Sequence, residues 1–403
     1  MNIRTVLDKM IGAHASDLHL KAGTPPVVRV DGVLYTLDEP APSAQELREV
    51  ANQLLNEEQR AYFSTHSEID FAFGVSGLAR FRANVFMQRG TAALALRHVP
   101  VEVPTLDDLG LPPVVRDLAF SPRGLILVTG RTGSGKSTTL AAMIDTINRT
   151  TTRNVITVED PIEFLHRDRL SFIHQREVGL DTQSFHDGLR YVLRQDPDII
   201  LVGEIRSLET MSTALMAADT GHLVMSTLHT TDVVQSLQRI ISFYPPHQHD
   251  EIRMSLAANL RAVISQRLIP RRDGAGRVPS CEVMVSTPTI REYILNPEKI
   301  PLIHGIVAEG VTQYGMQTFD QSVLALLREG LITEEEALRN CNNPNELSLK
   351  LKGISATSDR TWQPVATGSS GSSGSAEKSE GAASPGGHSG GGKSPSPDWM
   401  SRE

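Results

Sequence analysis

Gly130-Arg131-Thr132-Gly133-Ser134-Gly135-Lys136-Ser137 follows the pattern GxxxxGK[ST], and it sits between an apolar run, Leu125 to Val128, and a segment of helical character that begins at Ser137. That setting specifies a chemistry. Backbone N–H groups of such a turn and of the helix start point at phosphate oxygens, where the positive end of the helix dipole favours an anion. Lys136 then reaches the β- and γ-phosphates, and the Ser137 hydroxyl can ligate magnesium. The expected ligands are ATP and Mg²⁺, held by Gly130, Thr132, Gly133, Ser134, Gly135, Lys136, Ser137 and Thr138.

Hydrolysis needs carboxylates as well. Asp198 to Gly203 is an apolar strand with Glu204 at its C-terminal end, the edge where open α/β sheets place their ligand chemistry. A carboxylate there can orient or deprotonate the attacking water and hold Mg²⁺ through water. Gly203 stands where a strand-end aspartate is usual, and Arg206 offers Glu204 an ordinary ion-pair partner instead. A second acidic run, Thr157-Val-Glu159-Asp160-Pro-Ile-Glu163, also follows an apolar strand. Alone it reads equally as a proline turn with surface acids; on the same sheet edge as Glu204 it becomes a candidate site for Mg²⁺ and water. A fourth strand lies between His222 and His229, which are seven residues apart. An odd offset puts them on opposite faces of a strand, so a two-histidine metal site is not expected. His229 can touch the γ-phosphate, and both histidines also fit purely structural hydrogen bonding.

The elements that must carry these groups are legible in the hydropathy pattern. Leu125–Val128, Val155–Val158, Ile199–Val202 and Leu223–Thr227 are almost wholly apolar, as expected of parallel strands covered on both faces. They alternate with helical segments, which predicts a P-loop α/β domain over residues 114–362, with 247–269 and 289–340 mainly helical. Before it, residues 3–13 read as an amphipathic helix. Alternating strands around residues 17–20, 27–30, 33–35, 69–73, 79–88 and 92–98 follow, with a helical stretch at 44–64. This predicts a small α+β domain over 1–98, and the proline-rich 99–113 reads as a linker. Residues 363–403 are rich in Gly, Ser and Pro and lack the apolar content for a core, so a disordered tail is expected.

Bulk properties narrow the function classes. The chain has 403 residues and a net charge of −8, which gives no basic footprint for nucleic acid. Two cysteines, Cys281 and Cys341, form no CxxC pair, so neither a tetracysteine zinc site nor a disulfide scaffold is expected and a reducing, cytoplasmic setting fits. No apolar run is long enough to span a membrane, and the first twenty residues lack a secretory core, so no direct membrane insertion is expected.

Four motifs in fixed order carry a resemblance to a known family: the phosphate loop at 130–137, ITVEDPIE at 156–163, LRQDPDIILVGEIRSLET at 193–210 and TGHLVMSTLHTT at 220–231. Together they resemble the type II/IV secretion superfamily ATPases. Within it, SDLHL (16–20), PPVVRVDG (25–32), ARFRANVF (79–86), ISQRLI (264–269) and GMQTFDQSV (315–323) are similar to the pilus retraction, or twitching-motility, ATPases of the PilT/PilU type. The stretch that often reads AIRNLIRE in those enzymes is here Thr289-Ile-Arg-Glu-Tyr-Ile-Leu-Asn, which leaves open the main retraction motor or its accessory paralogue. The resemblance implies a RecA-like P-loop domain preceded by a PAS-like domain, assembled as a ring homohexamer with ATP at each junction. It also implies that arginines matching Arg80, Arg82 and Arg97 complete the neighbour's site, and that the motor works on an inner-membrane pilus platform protein from the cytoplasmic side, beside a possible paralogous ATPase. A non-hydrolytic nucleotide-binding regulatory module and a nucleic-acid translocase are the rival readings.

Overall fold

A computed structural model describes residues 1–30, 32–100 and 102–352. The expected tail at 363–403 lies outside the described residues. Among the described residues thirteen strands form two sheets. The first comprises β1 (Asp17–Lys21), β2 (Thr24–Val30), β3 (Val33–Thr36), β4 (Glu68–Val75), β5 (Ala79–Gln88) and β6 (Thr91–Val99), in the order β3-β2-β1-β6-β5-β4 and antiparallel throughout. Phe81, Ala83 and Val85 of β5 point into one apolar cluster with the helices Ile3–Gly12 and Ala44–Leu54. The intervening Arg80, Arg82 and Asn84 therefore face the other way, as the period of two requires.

The second sheet contains β7 (Gly124–Thr129), β8 (Asn154–Glu159), β9 (Phe172–Glu177), β10 (Ile199–Val202), β11 (Leu223–Leu228), β12 (Leu260–Pro270) and β13 (Arg277–Val285). Their order is β13-β12-β7-β11-β10-β8-β9, and all neighbours are parallel except the β12/β13 pair. Successive side chains of β7 enter two different clusters: Leu125 and Leu127 lie on one face, Ile126 and Val128 on the other. Such two-sided cover is why these strands read as unbroken apolar runs.

Three expectations need correction. The segment 247–269 is α-helical only over His249–Asn259; Leu260–Pro270 is β12, a strand hydrogen-bonded to β7 inside the sheet. An apolar run with β-branched residues serves a buried helix or a buried strand equally well, and pairing with β7 decides it. The stretch 44–64 is two helices, Ala44–Leu54 and Glu57–His66, because Asn56 starts a new one with a capping box to Gln59. Strands β9 and β13 had no expected counterpart, their alternation being broken by polar residues such as His174, Gln175 and Glu282.

Candidate nucleotide site

The turn from β7 into the helix Lys136–Thr150 is built to receive an anion. Gly135 precedes the helix with φ +91° and no side chain caps its first N–H groups, unlike the serine- or asparagine-capped helices elsewhere in the chain. Gly130 is obligatory: φ is +146°, and a Cβ there would lie 2.4 Å from Ser134 Oγ and 2.5 Å from the Gln266 carbonyl. Lys136 is 8% exposed and its ammonium donates to the carbonyls of Gly130 (2.9 Å) and Arg131 (3.1 Å). Burial lowers the Lys136 pKa, while the charges of Glu163 and Glu204 act in the opposite sense. Both carboxylates thus face the lysine.

A cavity of about 580 Å³ opens over this turn. Thr132, Gly133, Gly135, Lys136, Ser137 and Thr138 line its phosphate-loop side. Glu159, Asp160, Glu163, Glu204 and His229 line the other, joined by Arg97 from β6. Gly130 and Ser134 face a second cavity behind the loop, of about 750 Å³. The carboxylates converge because β8 and β10 are parallel neighbours, with Val158 opposite Val202, so Glu159 and Glu204 leave adjacent strands at the same sheet edge. Glu204 is 8% exposed; Arg206 Nη2 donates to its Oε1 at 2.6 Å, and His229 Nε2 lies 3.2 Å from its Oε2. The arginine pairing foreseen as an alternative for Glu204 and the histidine contact are both present. At Gly203 a Cβ would lie 3.3 Å from Glu159 Cα and 3.4 Å from Phe185 Cε1, so an aspartate would crowd the neighbouring strand end.

Not every candidate arrives. Glu159 accepts from Thr157 Oγ1 (2.7 Å) and Gln175 Nε2 (3.1 Å); burial raises its pKa against those bonds, so its carboxylate is already engaged. His222 sits at the opposite end of β11 from His229, with Nδ1 2.9 Å from the Ala217 carbonyl, and does not line the cavity. Arg80 donates to Glu177 Oε2 on β9 at 3.2 Å, and the same oxygen accepts the backbone N–H of Ile162 within the acidic run at 3.3 Å. Arg82 and Arg97 are directly opposite on β5 and β6. Like charges so placed repel, and Asp17 of β1 relieves this by accepting from Arg97 Nε at 2.7 Å. Burial pushes Asp17 up, but the hydrogen bonds from Arg97 and Ser16 outweigh it and leave its pKa lowered.

Some wall residues escaped the sequence reading. His166 lines the cavity with its pKa pushed down to about 4 by burial, so it is neutral there. Arg277, at the start of β13, also lines it. Gln266, 2% exposed, holds Thr139 of the phosphate-loop helix (Nε2 to Oγ1, 2.8 Å). Its place in ISQRLI was the only available signal. Both cysteines are buried and free, and burial pushes the Cys281 thiol up to about 12. Among the described residues no helix is long and apolar enough to cross a membrane.

The sequence signature described as Type II/IV secretion system protein matches residues 2–294. The type IV pilus retraction ATPase PilT of Pseudomonas aeruginosa is 43% identical over 344 residues, covering 85% of this chain and 99% of its own length. The type IV pilus ATPase PilU of the same organism is 40% identical over 354 residues, covering 87% and 92%. A crystal structure of the pilus retraction motor PilT with bound ADP superposes with a TM-score of 0.81 at 44% identity, covering 86% of this chain and 99% of that one. The Legionella pneumophila ATPase DotB gives 0.69 at 28% identity, over 87% and 95%. With the phosphate loop, the strand-end glutamate and the histidine gathered at one sheet edge, and with likeness running along nearly the whole length of these relatives, the chain belongs to the type II/IV secretion ATPase family and, within it, to the PilT/PilU type.

Proposed function

We propose that this protein is an ATP-hydrolysing motor that drives type IV pilus retraction. The observation that carries the catalytic half is the convergence of Glu204, Glu163 and Lys136 on one cavity at the phosphate loop. The cellular role rests on likeness to the retraction motor. Residues 1–98 and 114–362 are read as two domains joined by 99–113. We read the assembly as a homohexamer at the cytoplasmic base of the pilus, peripheral to the inner membrane and working through a membrane platform protein.

The residues present fit a magnesium nucleotide. Lys136 is buried and turned onto loop carbonyls, the helix start is uncapped, and Ser134 Oγ is buried without a partner. Among the described residues no group of three or more metal-binding side chains exists. That suits an ion arriving with phosphates, since Mg²⁺ takes only one or two carboxylates and completes its shell largely with phosphate and water. Ser137 and the acidic residues Asp160 and Glu163 would hold it, with Glu204 acting through water. Bound, the magnesium nucleotide supplies the γ-phosphoryl group and offsets the charge on its oxygens.

Lys136 exchanges the carbonyls of Gly130 and Arg131 for phosphate oxygens. Glu204 takes a proton from the attacking water at Oε1 once Arg206 lets go of that oxygen, as the water oxygen bonds to the γ-phosphorus and the bond from that phosphorus to the ADP oxygen breaks; the Arg206 side chain is 71% exposed. His229 keeps Oε2 oriented. Arg82 and Arg97 stabilise charge on the transferring group, from the neighbouring subunit in the ring. Phosphate release by the purified protein tests hydrolysis. The cellular role is tested by pilus retraction in a deletion strain complemented with the parent or with Glu204→Gln. Restored retraction with the parent alone is expected, and retraction restored equally by both overturns the motor reading.

A further inference from the structure

The segment that brings His229 to the cavity is anchored from behind. After His229 the chain passes through Thr230, Thr231 and Asp232 into the helix Val233–Ser242. Thr230 Oγ1 lies 2.6 Å from Ser236 Oγ, which donates to the Asp232 carbonyl at 2.6 Å. Asp232 caps the helix by accepting the N–H of Gln235 at 2.8 Å. The N–H of Val233 turns elsewhere, to Glu282 Oε2 of β13 at 2.9 Å. Val233 is 1% exposed and Glu282 2%, so this bond is made in the interior. The other oxygen, Glu282 Oε1, lies 3.2 Å from His304 Nδ1 on the helix Ile303–Glu309. Arg267 of β12 faces the same carboxylate.

A buried carboxylate is costly unless its charge is met, and this helix already has a side-chain cap in Asp232. Here the charge is met by His304 and Arg267, and the Val233 N–H that Asp232 leaves unpaired is satisfied. The two oxygens of Glu282 join two parts of the chain: one takes a backbone N–H next to the His229 loop, the other faces a titratable group on the C-terminal helices. We propose that Glu282 is a positioning residue for hydrolysis, holding the His229 loop in place against the nucleotide cavity and tying it to the C-terminal helices through His304.

The proposal rests on the ATPase reading and is tested on the full chain by steady-state ATP turnover. Misplacing a catalytic group by about an ångström costs up to about a hundredfold, so Glu282→Gln is expected to lower kcat about tenfold while the KM for ATP stays within about twofold. A role confined to packing predicts instead that turnover follows the fraction of folded protein. The pH profile gives a second reading. The hydrogen bond to Glu282 raises the His304 pKa against the effect of burial, and Asp320 and Asp232 act in the same sense as Glu282. The imidazolium–carboxylate pair is therefore complete below the ordinary histidine pKa and is lost as pH rises through the raised value. Parent kcat should fall across that interval, and His304→Ala should lose that dependence. Parental kcat in Glu282→Gln overturns the proposal. If that variant does not fold, His304→Ala decides, because its side chain is 45% exposed: a parental rate and pH profile there would also overturn it. A parent that releases no phosphate removes the ATPase reading and the proposal together, whereas an active parent with an inactive Glu204→Gln isolates the question at Glu282.

Discussion

Along β7, β10 and β11 successive side chains drop into two different buried clusters, whereas along β5 only alternate residues enter the apolar cluster and the intervening ones, Arg80 and Arg82 among them, are half-buried on the opposite face. The period of two is the same in both sheets. What differs is cover. A parallel sheet packed on both faces can meet a ligand only where its strands end, so its chemistry is concentrated at Glu204 and His229, in the acidic run that follows β8 and in the phosphate loop. An antiparallel sheet covered on one face displays side chains across its width, which is how Arg82, Arg97 and Asp17 come to be cross-strand neighbours. The first arrangement fixes a reaction centre, and the second offers a surface that can complete another.

Breaking the sheet edge should have the largest effect. Lys136→Ala and Glu204→Gln are each expected to reduce ATP turnover about a thousandfold, with nucleotide binding kept in the glutamine variant and lost in the alanine one. Turnover at the parental rate in Glu204→Gln would remove that residue from the reaction. Next comes the arginine face: Arg82→Ala or Arg97→Ala should cost about a hundredfold, since a guanidinium on the transferring phosphoryl group is worth at least that much in related chemistry. Because Arg97 lines the cavity of its own chain, mixed rings sharpen the contrast. Mixing Arg97→Ala protomers with Glu204→Gln protomers creates junctions where an intact arginine faces an intact glutamate of another subunit. Recovered activity assigns the arginine to the neighbour; mixtures as inactive as their components, in rings that still assemble, place it in its own site or show that several junctions must act together.

The difference in cover predicts a difference in stability. Leu127→Ala, in a strand buried on both faces, should lower stability by about 2–5 kcal/mol in denaturant unfolding. Tyr35→Ser on β3, where the side chain is 53% exposed, should change it by less than about 0.5 kcal/mol. Equal losses would mean that the first sheet is covered on both faces in solution. The smallest effect is expected outside both sheets: removing residues 363–403, whose composition cannot supply a core, should leave the melting temperature and turnover unchanged.

The sequence by itself determined the phosphate loop, the order of the four motifs, the parallel strands and the alternation of β5. All of these depend on spacing within one element, and periodicity reports spacing. It also marked Glu204 as a strand-end acid, because a polar residue closing an apolar run is a local signal. Only the tertiary structure decided partners. Arg80 meets Glu177, 97 residues away, and thereby the backbone of the acidic run. Glu282 reaches Val233, 49 residues away, from a strand whose polar interruptions hid it. Leu260–Pro270 became a strand because β7 lay open beside it. At Gly203 the neighbouring strand end leaves a Cβ tight contacts with Glu159 and Phe185. Each of these depends on which elements pack side by side, a long-range consequence of burying apolar surface that no single window of the chain records.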